Sequence, residues 1–318
     1  MVGKIMNSGF RDWSPKQLPD LSGKTFLITG ANSGIGFEAA KVLAENRANI
    51  ILACRSKPKA NQAITALQNI NVVGKIDFVE LDLSSLASVK KASEEIHARY
   101  TKIDCLINNA GIMQTPETRT VDGYELQLAT NHLGHFLLTG LLFDLVEAAR
   151  GRITVVASIA HKFGKINKAD LMHEQSYAAM EAYGQSKLAN VLFAQELHRK
   201  LEDIGSSVTC TACHPGYSST NLQSTGPSGI WNLIYPFMNA VMAQPSYRGA
   251  IPTLLAAAST EAKPGGYYGP QSLGEMRGRV SDAIFSNEAL DKGMAAWLWK
   301  ESERLTGFRW PSLEAKVA

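Results

Sequence analysis

A tyrosine and a lysine four residues apart form the most reactive-looking pair in this chain of 318 residues. Tyr183 and Lys187 lie in a stretch with helical spacing, so their side chains share one helix face. A phenol with the usual pKa near 10 is a poor base at neutral pH, and lowering that pKa by about three units requires about 4 kcal/mol. An ammonium group about 4 Å away supplies roughly that free energy at an effective dielectric constant of about 20. The pair could act as a general acid and base, although an ordinary helix surface can carry the same spacing.

A glycine-rich turn near the N-terminus points to a dinucleotide site. Residues 29–36 read TGANSGIG and stand between an apolar strand candidate and an amphipathic helix candidate. Gly30 permits a tight exit from the strand, Gly34 permits the backbone to approach a pyrophosphate, and Gly36 permits close packing of helix on sheet. The backbone N–H groups at the helix N-terminus attract phosphates. The spacing G-x-x-x-G-x-G differs from the G-x-G-x-x-G of most dehydrogenases, so this turn alone does not define the protein class.

The end of the second predicted strand favours NADP(H) over NAD(H). An Asp or Glu at this position of a dinucleotide-binding fold holds the ribose 2′-hydroxyl. Here the chain has Cys54 followed by Arg55. Without a carboxylate a 2′-phosphate is not repelled, and the Arg55 guanidinium can pair with it. The alternative is that Arg55 is only a solvated charge at a strand end.

Alternating apolar and amphipathic stretches predict the elements that position these residues. Short runs rich in Val, Ile and Leu suit strands buried on both faces, and strand–helix alternation suits right-handed parallel crossovers. Strands are predicted at residues 24–29, 49–53, 75–80, 103–108, 152–158, 207–213 and 265–268. Helices are predicted at residues 34–45, 58–67, 86–100, 123–148, 177–202, 249–259 and 287–305. We therefore predict a Rossmann-type, doubly wound α/β fold: one mainly parallel sheet of about seven strands with helices on both faces.

Composition favours a soluble, cytoplasmic protein with one large domain or two small ones. Because the glycine turn and the Tyr183–Lys187 pair belong to one predicted sheet, we predict a single domain over residues 1–318. Hydrophobic residues make up 45% and charged residues 19%, as in globular proteins, and a net charge of +3 is too weak to indicate nucleic acid. Four cysteines are too few for a disulfide scaffold, and no apolar run approaches the roughly 20 residues of a transmembrane segment. Three additions surround the predicted core: an N-terminal arm at 1–20, an insert at 217–246 and a C-terminal extension at 270–318.

The insert is predicted to be helical, with a hinge at Gly226-Pro227-Ser228-Gly229 and apolar residues that include Trp231 and Phe237. We interpret residues 217–246 as a lid over an apolar substrate. An extra core helix and a contact between subunits are the alternatives, and the sequence leaves both open.

Six motifs together resemble the short-chain dehydrogenase/reductase family. In chain order they are TGANSGIG (29–36), Asn108-Asn109-Ala110-Gly111, Asn131, Ser158, Tyr183-x-x-x-Lys187 and Pro215-Gly216. They occur in the order of the family, and the resemblance covers about residues 22–270. The sequences ACR at 53–55, NHLGHF at 131–136 and SKLAN at 186–190 look like the retinol-dehydrogenase-like branch. The tail at 298–307 is similar to that of bacterial, uncharacterised members of this branch.

The resemblance implies hydride transfer between a nicotinamide cofactor and an alcohol/carbonyl pair. It implies that Tyr183 is the general acid/base and that Lys187 lowers its pKa and holds the nicotinamide ribose. Ser158 would orient the substrate oxygen, and Asn131 would hold a water that links Lys187 to solvent. Ser158 lies 25 positions before Tyr183, farther than in short family members. The resemblance also implies that Asp82 and Leu83 meet the adenine and that Pro215-Gly216 with Thr220 contacts the nicotinamide amide. The implied cofactor-binding residues are Gly30, Asn32, Ser33, Gly34, Ile35, Gly36, Arg55, Asp82, Leu83, Asn109, Ala110, Gly111, Tyr183, Lys187, Pro215, Gly216 and Thr220.

The branch and the apolar insert together predict a lipophilic alcohol, aldehyde or ketone as substrate. One alternative is reduction of a polarised double bond, as in relatives that resemble protochlorophyllide reductase. Another is a non-catalytic regulator that binds NADP(H) only as a ligand. The resemblance also implies a homodimer or homotetramer formed through the helices predicted at 123–148 and 177–202. No nucleic acid partner is expected.

Two further pairs are assigned to packing rather than to chemistry. His132 and His135 have helical spacing, but no nearby motif supplies further ligands, so we predict no metal site. Cys210 and Cys213 lie three residues apart in a predicted strand, where their side chains point to opposite faces, so a disulfide is geometrically poor.

Overall fold

A single sheet forms the centre of the computed structural model, which describes residue 9, residues 12–70, 72–217, 244–310 and residue 313. Its strands are β1 (Thr25–Thr29), β2 (Asn49–Cys54), β3 (Ile76–Glu80), β4 (Cys105–Asn108), β5 (Arg152–Val156), β6 (Thr209–Cys213), β7 (Tyr267–Ser272) and β8 (Arg277–Asp282). Their order across the sheet is β3-β2-β1-β4-β5-β6-β7-β8. Neighbouring strands are parallel except for the antiparallel pair β7–β8. The predicted doubly wound α/β fold is confirmed.

Helices pack on both faces of the sheet. They are α1 (Gly34–Glu45), α2 (Lys57–Gln68), α3 (Leu86–Arg99), α4 (Leu126–Leu128), α5 (Gly134–Leu141), α6 (Phe143–Ala148), α7 (Ala179–Asp203), α8 (Ser246–Ala258) and α9 (Lys292–Thr306). Successive side chains of a strand point to opposite faces. In β1, Leu27 accordingly joins the core beneath α3, α5, α7 and α9, whereas Phe26 and Ile28 join the core beneath α1, α2 and α8.

The sheet has one strand more than predicted. β8 has the sequence RGRVSD, in which Val280 is the single large apolar residue, so it carries no strand pattern. It is a strand because it closes an antiparallel hairpin with β7. The buried Trp13 of the N-terminal arm pairs with β8, its backbone N–H donating to Val280 O at 3.1 Å. Trp13 therefore lies against the outer edge of the sheet.

The helix predicted at 123–148 is interrupted. The Glu125 carboxylate accepts the N–H groups of Gln127 and Leu128, at 2.8 and 2.6 Å, and so starts the helix later than predicted. A π-helical turn, Ala129–Leu133, then separates α4 from α5. This turn contains Asn131, one of the residues that the resemblance assigns to the reaction.

Residues 218–243, which hold most of the predicted insert at 217–246, lie outside the described residues, so the lid interpretation stays a prediction. The same holds for the assignment of residues 1–318 to one domain. None of the helices in the described ranges combines the length and the apolar character that crossing a bilayer requires.

Candidate active site

The candidate site lies at the carboxyl ends of the central parallel strands. Four neighbouring strands of the sheet each lead into one part of the site. β1 leads into the glycine turn, β4 into residues 109–112 (the Asn109 segment), β5 into Ser158 and β6 into Pro215-Gly216. The order in which strands are added to the sheet reverses between β1 and β4, because β2 and β3 lie on one side of β1, and β4, β5 and β6 lie on the other. Ligands of open α/β sheets bind at such a switch point.

The glycine turn has the backbone geometry that a pyrophosphate requires. Gly30 and Gly34 have φ of 67° and 58°, in the left-handed region that favours glycine. A Cβ at Gly36 would lie 2.5 Å from the Asn109 Nδ2 atom and 2.8 Å from the Gly30 O atom, so α1 packs too closely for any side chain there. Ser33 precedes α1, and its side chain caps none of the N–H groups of the first turn. These N–H groups fit a dinucleotide phosphate.

Thr29, which sequence reasoning did not single out, fastens this turn to the end of β4. Its Oγ1 atom accepts the backbone N–H groups of Asn109 and Ala110, both at 2.9 Å. The Asn109 Nδ2 atom in turn donates to Thr29 O at 2.8 Å. The turn and the Asn109 segment therefore hold each other in place.

His135 connects this hydroxyl to the π-turn. Its Nε2 atom lies 2.9 Å from Thr29 Oγ1 and its Nδ1 atom 3.0 Å from Asn131 O. The carbonyl can only accept, so Nδ1 carries the proton, and Nε2 accepts the proton of Thr29. Burial lowers the pKa of His135 to about 4, so the ring is neutral at neutral pH. The motif NHLGHF contains His135, but the contact across 106 residues is visible only in the folded chain.

Arg55 stands beside the turn at the end of β2. Its side chain is 75% exposed, and Nη1 lies 3.9 Å from Asp82 Oδ2. The preceding Cys54 is buried, and burial raises the pKa of its thiol to about 11. That thiol lies beside the backbone N–H groups of Gly30, Ala31 and Asn32. The guanidinium is thus open to solvent next to the glycine turn, where it can reach a phosphate.

Asp82 and Leu83 follow β3 on the same edge. The Asp82 Oδ1 atom accepts the N–H and the hydroxyl of Ser84 at 2.9 and 2.6 Å, which leaves Oδ2 facing Arg55. Leu83 is buried, and its carbonyl lies so close to Gly134 that a Cβ there would approach to 2.3 Å. Their assignment to the adenine remains a prediction.

Tyr183 and Lys187 lie one turn apart on α7, both largely buried. The Lys187 Nζ atom is 6.0 Å from the centre of the Tyr183 ring and donates to Val156 O at 3.3 Å. Burial lowers the pKa of Lys187 to about 8. At neutral pH the side chain still carries its proton and places a positive charge beside the phenol.

Asn131 joins the Asn109 segment to the helix that carries Tyr183. Its Oδ1 atom accepts the N–H of Ile112 at 2.8 Å, and its Nδ2 atom donates to Ile112 O at 3.0 Å and to Ser186 Oγ at 2.9 Å. A Cβ on Gly111 would lie 3.1 Å from Asn131 Oδ1 and 3.2 Å from Lys187 Nζ. The Asn131 amide oxygen and the Lys187 ammonium group therefore border the same small space next to Gly111.

Ser158 lies just beyond β5 and caps the 3₁₀ turn Ile159–Lys162, its Oγ atom accepting the N–H of Ala160 at 3.2 Å. Lys187 and Asn190 both bond to Val156 O at 3.3 Å, which ties this strand end to α7. The end of β5, which leads to Ser158, is therefore in contact with α7, which carries Tyr183, although 25 positions separate the two residues in the sequence.

Pro215-Gly216 follows β6 on the same edge. Gly216 has φ of 69°, and a Cβ there would lie 2.4 Å from Met276 O of the β7–β8 hairpin. Thr220, assigned to the nicotinamide amide by the resemblance, lies outside the described residues.

His132, Cys210 and Cys213 are buried. His132 Nε2 lies 2.8 Å from Ser302 Oγ of α9, and burial lowers its pKa to about 3. Cys210 and Cys213 are buried free thiols. In the part of the chain that the structure describes, no three His, Cys, Asp or Glu side chains are grouped to hold a metal ion.

Comparisons with known proteins agree with this geometry. The family model for short chain dehydrogenases matches residues 24–229. The chain is 39% identical over 306 residues to human retinol dehydrogenase 14, covering 90% of this chain and 87% of that protein. It is 38% identical over 303 residues to human retinol dehydrogenase 13, covering 92% and 87%.

Solved structures show the same fold. An uncharacterised protein from Mycobacterium paratuberculosis has a TM-score of 0.78 and 38% identity, covering 95% of this chain and all of that one. A short chain dehydrogenase from Burkholderia cenocepacia in complex with NADP has a TM-score of 0.61 at 21% identity, covering 78% and 96%.

This chain belongs to the short-chain dehydrogenase/reductase family, in its retinol-dehydrogenase-like branch. It is an oxidoreductase of CH–OH and C=O groups, and the family uses NAD(P).

Proposed function

We propose that this protein is an NADP(H)-dependent oxidoreductase that interconverts a lipophilic alcohol and its aldehyde or ketone. The observation that carries the proposal is the buried pair of Tyr183 and Lys187, held against the strand end that leads to Ser158. An ammonium in that position stabilises a phenolate, and a carbonyl oxygen needs a proton donor when its carbon receives a hydride.

The chain's own residues manage the proton. When bound, the nicotinamide ring supplies or accepts the hydride. In the direction of reduction the Tyr183 phenol donates its proton to the substrate oxygen, and in oxidation the phenolate removes the alcohol proton. Lys187 stabilises the phenolate, Ser158 orients the substrate oxygen, and Asn131 borders the space through which a water would return the proton to Lys187.

Exposed apolar side chains beside Tyr183 support a lipophilic substrate. Phe163 is 56% exposed, and its ring packs on Gly184, where a Cβ would lie 3.2 Å from the ring atoms Cδ2 and Cε2. Met180, one turn before Tyr183 on α7, is 38% exposed. Large apolar groups left open next to catalytic ones are typical of pockets for apolar ligands. The names of the relatives make retinoids the first candidates.

The reaction is tested by following NADPH consumption with aldehydes and ketones of increasing chain length, together with retinal. We expect kcat/KM to rise about fourfold for each methylene that the pocket buries, since each contributes about 0.8 kcal/mol. Tyr183→Phe should reduce kcat at least a hundredfold. Tyr100→Phe, at the C-terminal end of α3, is the control. Analysis of the product must show an alcohol; a saturated carbon–carbon bond with the carbonyl intact would contradict the proposal.

Arg55 should determine the preference for NADPH. The Arg55 guanidinium would pair with the 2′-phosphate, and a partly exposed charged hydrogen bond contributes about 1–2 kcal/mol. Because that contribution is lost, Arg55→Ala should raise KM for NADPH about tenfold. KM for NADH should change less than twofold. Arg279→Ala, equally exposed on β8, is the control. A wild-type protein that prefers NADH would disprove this assignment.

A further inference from the structure

A buried carboxylate in the β7–β8 hairpin takes no part in the reaction described above. Glu275 lies in the hairpin turn with φ of 69° and is only 5% exposed, whereas Leu273, two residues earlier, is 61% exposed. A non-glycine residue in the left-handed region is strained, and a buried charge is unfavourable unless it is paired. Contacts of the carboxylate must therefore offset both effects.

Both carboxylate oxygens are engaged. Glu275 Oε2 lies 2.7 Å from the Lys162 Nζ atom, and Oε1 accepts the N–H of Ile284 at 2.7 Å. Burial by itself would raise the pKa of Glu275, but His214 and Lys162 outweigh it and hold that pKa below its usual range. The carboxylate is therefore ionised at neutral pH.

The second side chain beside the Glu275 carboxylate is that of His214. Its Nδ1 atom accepts the N–H of Gly216 at 3.2 Å, so the proton of the neutral ring is on Nε2. Nε2 lies 3.3 Å from Glu275 Oε2, close enough for electrostatic attraction between its N–H group and the carboxylate. His214 is fully buried, and burial lowers its pKa.

These two partners belong to different parts of the candidate site. Lys162 ends the 3₁₀ turn that Ser158 begins, and His214 immediately precedes Pro215-Gly216. Glu275 Oε2 therefore contacts two segments of the site. Through Lys162 it contacts the turn that begins at Ser158, the residue predicted to orient the substrate, and through His214 it contacts the Pro215-Gly216 loop, which is predicted to meet the nicotinamide.

The hairpin strengthens this bridge at two other points. Met276 O, next to Glu275, accepts the N–H of Tyr217 at 2.7 Å and the Nε2 amide of Gln244 at 3.0 Å. In β7, the hydroxyl of Tyr267 lies 3.2 Å from His161 Nδ1, which is also 2.8 Å from Ser158 O. The hairpin thus contacts the Ser158 turn through His161 as well as through Lys162.

We propose that Glu275 is a positioning residue that sets the placement of the Ser158 turn relative to the Pro215-Gly216 loop. This inference rests on the proposed function, because that function makes the two segments meet at the substrate carbonyl. Reacting atoms must approach to about 3–3.5 Å, and small displacements lower the rate steeply. Loss of the carboxylate charge should impair hydride transfer more than cofactor binding, because the phosphate-binding turn lies elsewhere.

The test compares Glu275→Gln, which preserves volume and an acceptor for Ile284, with Glu275→Asp, which preserves the charge. Glu261→Gln, at an exposed position, is the control. We expect Glu275→Gln to lower kcat about tenfold, to change the Kd of NADPH less than threefold and to raise the isotope effect with NADPH deuterated at the transferred position. Glu275→Asp should restore part of kcat. Adding Lys162→Met to Glu275→Gln should have little further effect, since both residues act through one contact.

A readout without turnover separates this inference from the proposed function. The fluorescence of bound NADPH reports the surroundings of the nicotinamide, and Glu275→Gln should reduce its enhancement while the Kd stays nearly unchanged. If wild type reduces no carbonyl but this fluorescence change occurs, the proposed function fails and the positioning role stands. A Glu275→Gln protein with wild-type kcat and fluorescence would overturn the role. So would a loss of kcat that only parallels a loss of folded protein.

Discussion

Lys187 is the residue at which activity and stability oppose each other. The proposed reaction needs its positive charge beside Tyr183, yet burial lowers the pKa of Lys187 to about 8 from the usual 10.5. At neutral pH the folded protein therefore holds a proton that its environment disfavours. The unfolded chain holds the same proton in water without this penalty.

Replacing the lysine should consequently stabilise the protein. Lys187→Met should abolish turnover and raise the free energy of unfolding at pH 7 by about 1–3 kcal/mol. Between pH 8 and 10.5 the unfolded wild-type chain binds a proton that the folded protein has lost, so wild-type stability should rise with pH and approach that of the variant. Urea unfolding at several pH values measures this.

The exposed Lys90 on α3 supplies the matched control. Lys90→Met should leave the pH dependence of the unfolding free energy as in wild type. If wild type and Lys187→Met run parallel from pH 8 to 10.5, the burial penalty at Lys187 is refuted.

The π-turn that interrupts the helix predicted at 123–148 contacts two separate parts of the candidate site. It places the Asn131 amide against Ile112 and the Asn131 carbonyl against His135. A π-helical turn pairs backbone groups five residues apart, as the Gly134 N–H does with Ala129 O, and the dependence on a side chain arises because His135 adds a bond to the Asn131 carbonyl.

His135→Leu should expose that dependence. The substitution leaves the Asn131 carbonyl without the Nδ1–H donor and removes the 2.9 Å partner of Thr29 Oγ1. We expect the free energy of unfolding to fall by about 1–3 kcal/mol. KM for NADPH should also rise, because Thr29 holds the N–H groups of Asn109 and Ala110. His97→Leu, near the surface on α3, should change neither quantity by much; an unchanged KM in His135→Leu would contradict the link to the cofactor.

For the whole molecule, the C-terminal extension covers helices that the resemblance assigned to subunit contacts. Phe136 of α5 and Phe193 of α7 pack edge-on and stacked against Trp299 of α9, with ring centres 5.1 and 5.9 Å apart. Trp310 joins the same cluster. The aromatic faces of α5 and α7 are thus already buried within one chain.

A homodimer or homotetramer, which remains a prediction, should therefore use other surfaces than these aromatic faces. Hydrogen exchange at α5 and α7 should not change when the protein is diluted through its association range, as determined by sedimentation. Exchange that rises on dilution at α5 and α7 would show that subunits meet there after all.

Features with local geometry could be predicted from the amino-acid sequence. The Gly30 turn and the Tyr183–Lys187 spacing span eight residues or fewer, so strand, turn and helix geometry dictates their arrangement wherever the chain folds. Apolar strand patterns likewise predicted the parallel sheet, because a strand buried on both faces needs apolar residues throughout.

Only the tertiary structure decided which distant groups share the site. β8 escaped prediction because pairing with β7, rather than an apolar pattern, makes it a strand. Glu275 reads as an ordinary turn residue, yet it contacts Lys162 across 113 positions. Such contacts depend on the packing of whole elements, and no spacing along the chain encodes them. The sequence determined the chemistry available to this protein, and the tertiary structure decided what holds that chemistry in place.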